Sequence, residues 1–183
     1  MQRGFTLIEV SVTIGVLVIM MTISTLMYRT AGQRQEVTLT AQEAASFVRL
    51  AETYAASAKE NNNDAAQNAW GIYAAKGASQ LILFIDKNNN HLYDGSAEDY
   101  QTMSLPNQIK VDDVYYKTGA ADYAAMPEGR AALVFTPPDP AVSLCRQGND
   151  CVPTDEVRIV FKEGLGNTTA DILVNFFGLI DAR

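Results

Sequence analysis

The chain predicts an α+β fold, with one long N-terminal helix packed on a C-terminal antiparallel β domain. Three observations predict it. An apolar run of membrane length opens the chain, a helical-period stripe of small residues follows, and a series of short strand-like segments then runs to the C-terminus with no helical pattern between them.

From Phe5 to Tyr28 the chain runs 24 residues with Glu9 as its only formal charge. About 20 apolar residues suffice to cross a bilayer as a helix, so this run reads as a membrane anchor. A carboxylate inside such a segment costs about 2.5 to 3.5 kcal/mol on insertion scales, which makes Glu9 a functional residue in need of a cationic partner. The competing reading is a tolerated carboxylate near a helix start, worth about 0.3 to 1 kcal/mol from the helix dipole. Secretory signals place a small-residue cleavage site after their apolar stretch. Here the basic region is only Met1-Gln2-Arg3-Gly4, and the apolar run continues into helix, so the leader is the N-terminus itself.

Beyond Tyr28, Val37, Ala41, Ala44, Val48, Ala51, Ala55 and Ala58 recur at spacings of three and four and stack on one helix face. Phe47, Leu50 and Tyr54 widen that face, while Glu36, Glu43, Arg49, Glu52 and Lys59 lie elsewhere. The pattern predicts one helix over 6–59 with a bend near Gly32, or two helices joined over 31–35. Gly15 offers a neighbouring helix a close approach.

Asn61-Asn62-Asn63-Asp64 breaks the helical pattern and marks the start of the C-terminal domain. Strands are predicted over 70–74, 80–85, 100–105, 109–116, 131–135, 156–161 and 171–176. The last two flank a glycine-rich hairpin loop at 162–167, and Pro137-Pro138-Asp139-Pro140 ends a strand and begins an irregular loop. The expected result is an antiparallel sheet on the helix stripe. Trp70, Tyr73, Phe84, Phe135, Phe161, Phe176 and Phe177 are expected as core aromatics.

The 183 residues suit one modest domain plus the anchor. Net charge is −7; loss of Arg3 with the leader lowers the 14 Lys and Arg to 13 against 21 Asp and Glu, a net −8. Nucleic-acid affinity draws on Lys and Arg neutralising phosphates, so a nucleic-acid partner is not expected. Catalysis has no support either, since the sole histidine, His91, sits in an Asn-rich turn and no nucleophile, phosphate-loop or metal-hydrolase motif occurs. Adjacent pairs such as Asp112-Asp113 and Asp155-Glu156 point to opposite faces of a strand and do not form a carboxylate dyad.

Cys145 and Cys151 lie close together in a turn-forming stretch. In an anchored domain facing an oxidising compartment they favour a disulfide, which for so short a ring stabilises by about 2 kcal/mol. Free thiols are the alternative, and one distant histidine gives zinc too few ligands. No cofactor is certain. One loop invites calcium: Asp86, Asn88, Asn90 and Asp94 occupy positions one, three, five and nine of an EF-hand-like oxygen pattern, with the Leu92 carbonyl at seven. His91 stands where that pattern has glycine, and Ala97 where it has a bidentate Glu, although Glu98 or Asp99 could substitute. The alternative is a tight turn in which Asn and Asp satisfy their own backbone.

Gly4-Phe5-Thr6-Leu7-Ile8-Glu9-Val10 resembles the cleavage and methylation motif of type IV prepilins and type II secretion pseudopilins. The resemblance implies a leader at 1–4, an N-terminal helix at 5–60 with its transmembrane part at 5–28, and a periplasmic β-rich domain at 61–183. It implies cleavage by a prepilin peptidase between Gly4 and Phe5 and methylation of the new Phe5 amine. Glu9 then matches the family's Glu, whose role is to neutralise the N-terminal ammonium of a neighbouring subunit during fibre assembly. The element order and the Asp- and Asn-rich loop after a central strand resemble the minor pseudopilin H and related minor pilins. The implied location is the inner membrane, single-pass, with the β domain in the periplasm or outside and, after assembly, in a pilus or pseudopilus. The implied partners are the peptidase, other pilin or pseudopilin subunits and an assembly platform. A second function class is a membrane-anchored binding module that recognises a secreted substrate, a surface or DNA.

Overall fold

The computed structural model describes residues 6–57, 68–106, 108–137, 141–146, 154–164 and 168–183. Helix α1 runs Leu7–Ala56, 50 residues, or about 75 Å at the rise of an α-helix. Thr6 caps its start with an extended backbone, and the Ser57 amide closes its end on the Thr53 carbonyl at 2.9 Å. The helix is unbroken through 31–35, so the two-helix alternative gives way to one element; a Cβ added at Gly32 would meet nothing within 4 Å. Within the apolar half, the hydroxyls of Ser11, Thr13, Thr22 and Thr25 donate to carbonyls one turn back at 2.6 to 2.8 Å. Their polar atoms are thereby satisfied inside the helix, as a lipid environment demands.

The expected stripe forms the helix side of the core. Val37, Ala41, Ala44, Val48, Ala51 and Ala55 are buried, Phe47 joins them, and Leu50 and Tyr54 pack from the edge. Because most of these side chains are small, the helix backbone approaches the sheets closely and the bulk comes from the strands. Ala58 lies outside the described residues.

All seven predicted strands occur among the described residues, as β1 Ala69–Ala75, β2 Gln80–Asp86, β3 Asp99–Ser104, β4 Ile109–Lys117, β6 Arg130–Thr136, β8 Glu156–Glu163 and β9 Thr169–Asn175. Three more were not expected: β5 Ala124–Ala125, β7 Ala141–Arg146 and β10 Ile180–Ala182. The strands form two five-stranded antiparallel sheets, ordered β3-β2-β1-β6-β7 and β10-β9-β8-β4-β5, and not one sheet. The β1–β2 turn joins them, with the Gly77 amide on the Val111 carbonyl at 2.7 Å and the Val111 amide on the Ala78 carbonyl at 3.0 Å. Helix α1 spans both sheets, packing on β1 and β6 of one and on β8, β9 and β10 of the other.

Strand alternation sorts the first sheet into two faces. Trp70, Ile72, Leu81, Leu83, Leu133, Phe135, Val142 and Leu144 face the helix. The outer face carries a second buried cluster of Ala69, Phe84, Leu92, Ala132, Val134 and Cys145. Gly71 lies on that outer face, where an added Cβ would stand 2.5 Å from Phe84 Cζ and 3.0 Å from the Leu133 carbonyl oxygen. Phe84 is fully buried and cannot swing aside. Gly71→Ala is therefore expected to cost about 1 to 3 kcal/mol by overpacking, read as a lowered midpoint in urea unfolding; an unchanged midpoint would contradict the packing of this face.

Candidate functional site

The N-terminal half of α1 presents apolar side chains with nothing covering them. Leu7–Thr25, 19 residues with mean hydropathy 2.2 and none of it buried, is long and apolar enough to cross a membrane. Glu9 sits in the first turn, and its amide donates to Thr6 Oγ1 at 3.3 Å. Thr6-Leu7-Ile8-Glu9 has the spacing of a capping box, a signal of the helix start that the sequence reading passed over. No Lys, Arg or His lies between Leu7 and Tyr28, and among the described residues Glu9 makes no ion pair. Its counter-charge must come from outside this segment. Gly4 and Phe5 lie outside the described residues.

The loop between β2 and β3 holds the residues read as calcium ligands. Asp86, buried at the end of β2, accepts the amides of Asn90 and His91 at 3.2 and 2.8 Å. Asn88 Oδ1 accepts the Asn90 amide at 3.1 Å, and Asn90 Oδ1 the Leu92 amide at 2.8 Å. Both asparagines turn Nδ2 to Asp94 Oδ2, at 2.6 and 2.9 Å. Glu98, 5% exposed, reaches back to the amides of Asp94 and Lys87 at 2.9 and 3.3 Å and so takes the inward place that Ala97 vacates. Burial pushes its carboxyl up, against the pull of those two amides. His91 adopts φ +61, the left-handed backbone for which the EF-hand pattern keeps glycine and which histidine visits more readily than most residues.

The loop thus closes on itself through side-chain to backbone bonds. Among the described residues no three His, Cys, Asp or Glu side chains converge to hold a metal. Calcium coordination would require Asn88 and Asn90 to rotate their amides so that Oδ1, and not Nδ2, faces Asp94. The structure also gives the loop a packing role. Leu92 is buried on the outer face of the first sheet, and the Tyr93 ring lies 4.5 Å from Tyr73 and 5.4 Å from Phe84, centre to centre. Tyr93 is anchored by its hydroxyl, which donates to Asp99 Oδ1 at 2.6 Å.

Cys145 is buried in β7 and is disulfide-bonded; Cys151, the other cysteine of the chain, lies outside the described residues. The stretch read as a turn therefore begins as a strand, with Cys145 paired opposite Ala132. Among the expected core aromatics, Trp70, Phe84, Phe135 and Phe161 are buried and Tyr73 is half-buried, but Phe176 and Phe177 are 56% and 88% exposed. The reason is local: β9 ends at Asn175, whose Oδ1 accepts the amides of Phe177 and Leu179 at 3.0 and 2.9 Å and turns the chain outward. The carboxylate pairs form no dyad. Asp113 pairs with Lys76, Glu156 accepts the Tyr123 hydroxyl at 2.6 Å, and Asp155 accepts the Gly119 amide.

A family model described as Prokaryotic N-terminal methylation motif matches residues 1–25. No curated protein and no solved structure matches the chain significantly. The matched segment includes the exposed apolar span Leu7–Thr25, and the same helix runs on into a two-sheet α+β domain. Together they support a type IV pilin-like protein, processed by a prepilin peptidase and anchored by its N-terminal helix.

Proposed function

We propose that this chain is a minor subunit of a type II secretion pseudopilus or a type IV pilus, most similar to the minor pseudopilin H. It is held in the inner membrane by the N-terminal helix, with its β domain on the periplasmic side. Cleavage after Gly4 exposes the Phe5 amine, which is methylated and then pairs with Glu9 of a neighbouring subunit as both enter the fibre. Glu9 carries this reading, because it is the single charge in an apolar span whose own residues supply no cation. No catalytic role is proposed.

The charges of the β domain count against the DNA-binding alternative. Arg158 is held by Asp171 at 2.8 Å and Arg183 by Asp181 at 2.7 Å, so the C-terminal arginines present neutralised pairs and not a basic patch. Recognition of a secreted substrate or surface remains compatible with a subunit role and needs no separate site. Shearing cells that produce the assembly system is expected to release the mature chain together with sibling subunits. Recovery of the mature chain only from the inner membrane, never with a sibling subunit, would contradict the proposal.

A further inference from the structure

The first sheet stops one strand short of covering α1. The helix packs on β1 and β6 and only grazes β2, and a cavity of about 510 Å³ lies between its flank and the edge strand β3. Leu39, Glu43, Ser46, Phe47, Leu50 and Met103 line it, with a mostly apolar wall.

The edge of β3 is unprotected. Natural sheets blunt their edges with Lys, Pro, bulges or brevity. Strands β5 and β10 are two and three residues long, and β7 follows the proline run at 137–140. Strand β3 has neither Lys nor Pro, and its one register irregularity, opposite Leu83 and Phe84, falls at its start. The Leu105 amide donates to the Ser79 carbonyl at 2.9 Å, which fixes the phase of the ladder. With Ser104 opposite Gln80 and Thr102 opposite Ile82, alternation turns the amide and carbonyl of Thr102 and of Ser104 away from β2. Both residues are exposed, and among the described residues their backbones take no other partner.

We propose that a β-strand of a different protein pairs with the Thr102–Ser104 edge, laying an apolar side chain in the Leu39–Leu50 cavity and a Lys or Arg against Glu43. In such strand addition the main-chain bonds give affinity, and pockets for alternate side chains give specificity. Charge sets the chemistry of the occupant. Helix positions 36, 39, 43, 46, 50, 53 and 57 share this flank, and their only charges are Glu36 and Glu43; β3 adds Asp99 and no cation. Lipid is out of reach, since Leu39 stands 14 residues, about 21 Å, past Thr25 at the end of the apolar span. A second copy fits worse. Its β3 would set carboxylates against carboxylates, and joining β7 of one copy to β3 of the next would extend without end, which a minor subunit does not do. That the strand belongs to a sibling subunit rests on the fibre reading above; the free edge, the cavity and the acidic rim do not.

Photo-cross-linking in the full chain tests the pairing. Cells producing the assembly system would carry the chain with p-benzoylphenylalanine in place of Ser46, an exposed residue of the cavity wall. A link to one sibling subunit is expected, at a segment that alternates apolar and polar residues and includes Lys or Arg. Thr102→Pro removes only an outward amide, which sheet edges tolerate, and is expected to lower the link about fivefold while leaving the urea midpoint nearly unchanged. Glu43→Lys is expected to lower it comparably, and decides alone if the proline variant fails to fold. No link, a link to a second copy or to a segment of helical period, or a link that survives both substitutions would overturn the proposal. Sheared fibres containing the mature chain without the link would overturn the docking and leave the fibre reading standing. A link to such a strand in a protein outside the fibre would support the docking and count against the fibre reading.

Discussion

Glu9→Gln is expected to leave leader removal intact while sharply reducing the mature chain in sheared fibres. Glutamine keeps the size and the hydrogen-bonding capacity of the side chain but removes the charge that a neighbouring ammonium needs in a low-dielectric surrounding. Two unit charges about 4 Å apart attract by about 4 kcal/mol at an effective dielectric of 20, far more than in water. Loss of even about 1.4 kcal/mol at each contact lowers each association equilibrium about tenfold, and a fibre multiplies that loss along its length. The check is a comparison of mature-length chain in the membrane and in the sheared fraction. Normal incorporation of Glu9→Gln would remove the pairing from the account. The loss would not arise from unfolding of the β domain, because Glu9 lies in the solvent-bare part of α1, remote in sequence from the stripe that begins at Val37.

Gly4→Leu is expected to block processing and to keep Met1–Gly4 on the chain. The consequence reaches Glu9, since an uncleaved leader leaves Phe5 in a peptide bond with no amine to offer a neighbour. Incorporation should therefore fail as it does for Glu9→Gln, and the double variant should be no worse than Gly4→Leu alone, the non-additivity expected of two groups acting as one pair. Intact-mass measurement of the membrane-extracted chain reads the processing step directly. A Gly4→Leu chain of mature mass would show that the cut does not depend on Gly4.

The sequence made the helix and most strands legible because their periodicities are clean. The small-residue stripe from Val37 to Ala55 is buried as its spacing requires, and seven strand-like segments are strands. What stayed hidden was tertiary. Alternation within a strand gives two faces but does not say how many sheets share them, so the division into two sheets and the outer cluster under Leu92 and Tyr93 had no local signal. Strand β7 does alternate, with Val142 and Leu144 buried towards the helix, but it follows a proline run that reads as loop. Phe176 and Phe177 were misplaced because hydrophobicity alone sends aromatics inward; the outward turn depends on one asparagine side chain.

The Asp- and Asn-rich loop shows a different limit. Its spacing of oxygens suits a cation and the loop's own amides alike, and Asp86 and Asn88 accept such amides in the structure. The site at the N-terminus was the reverse case. There the chemistry was legible from residue types alone, a carboxylate in an apolar span beside Gly4-Phe5, and the structure adds the bare helix, the Thr6 cap and the absence of any cation among the described residues near Glu9.

The N-terminus of the wild-type chain extracted from its native membrane is the most direct test of the central claim. Peptide mass spectrometry is predicted to find the chain beginning at Phe5 with a methylated amine and no peptide containing Met1–Gly4. A chain that still begins at Met1, or that is cut after the apolar run as a secretory signal is, would contradict the account.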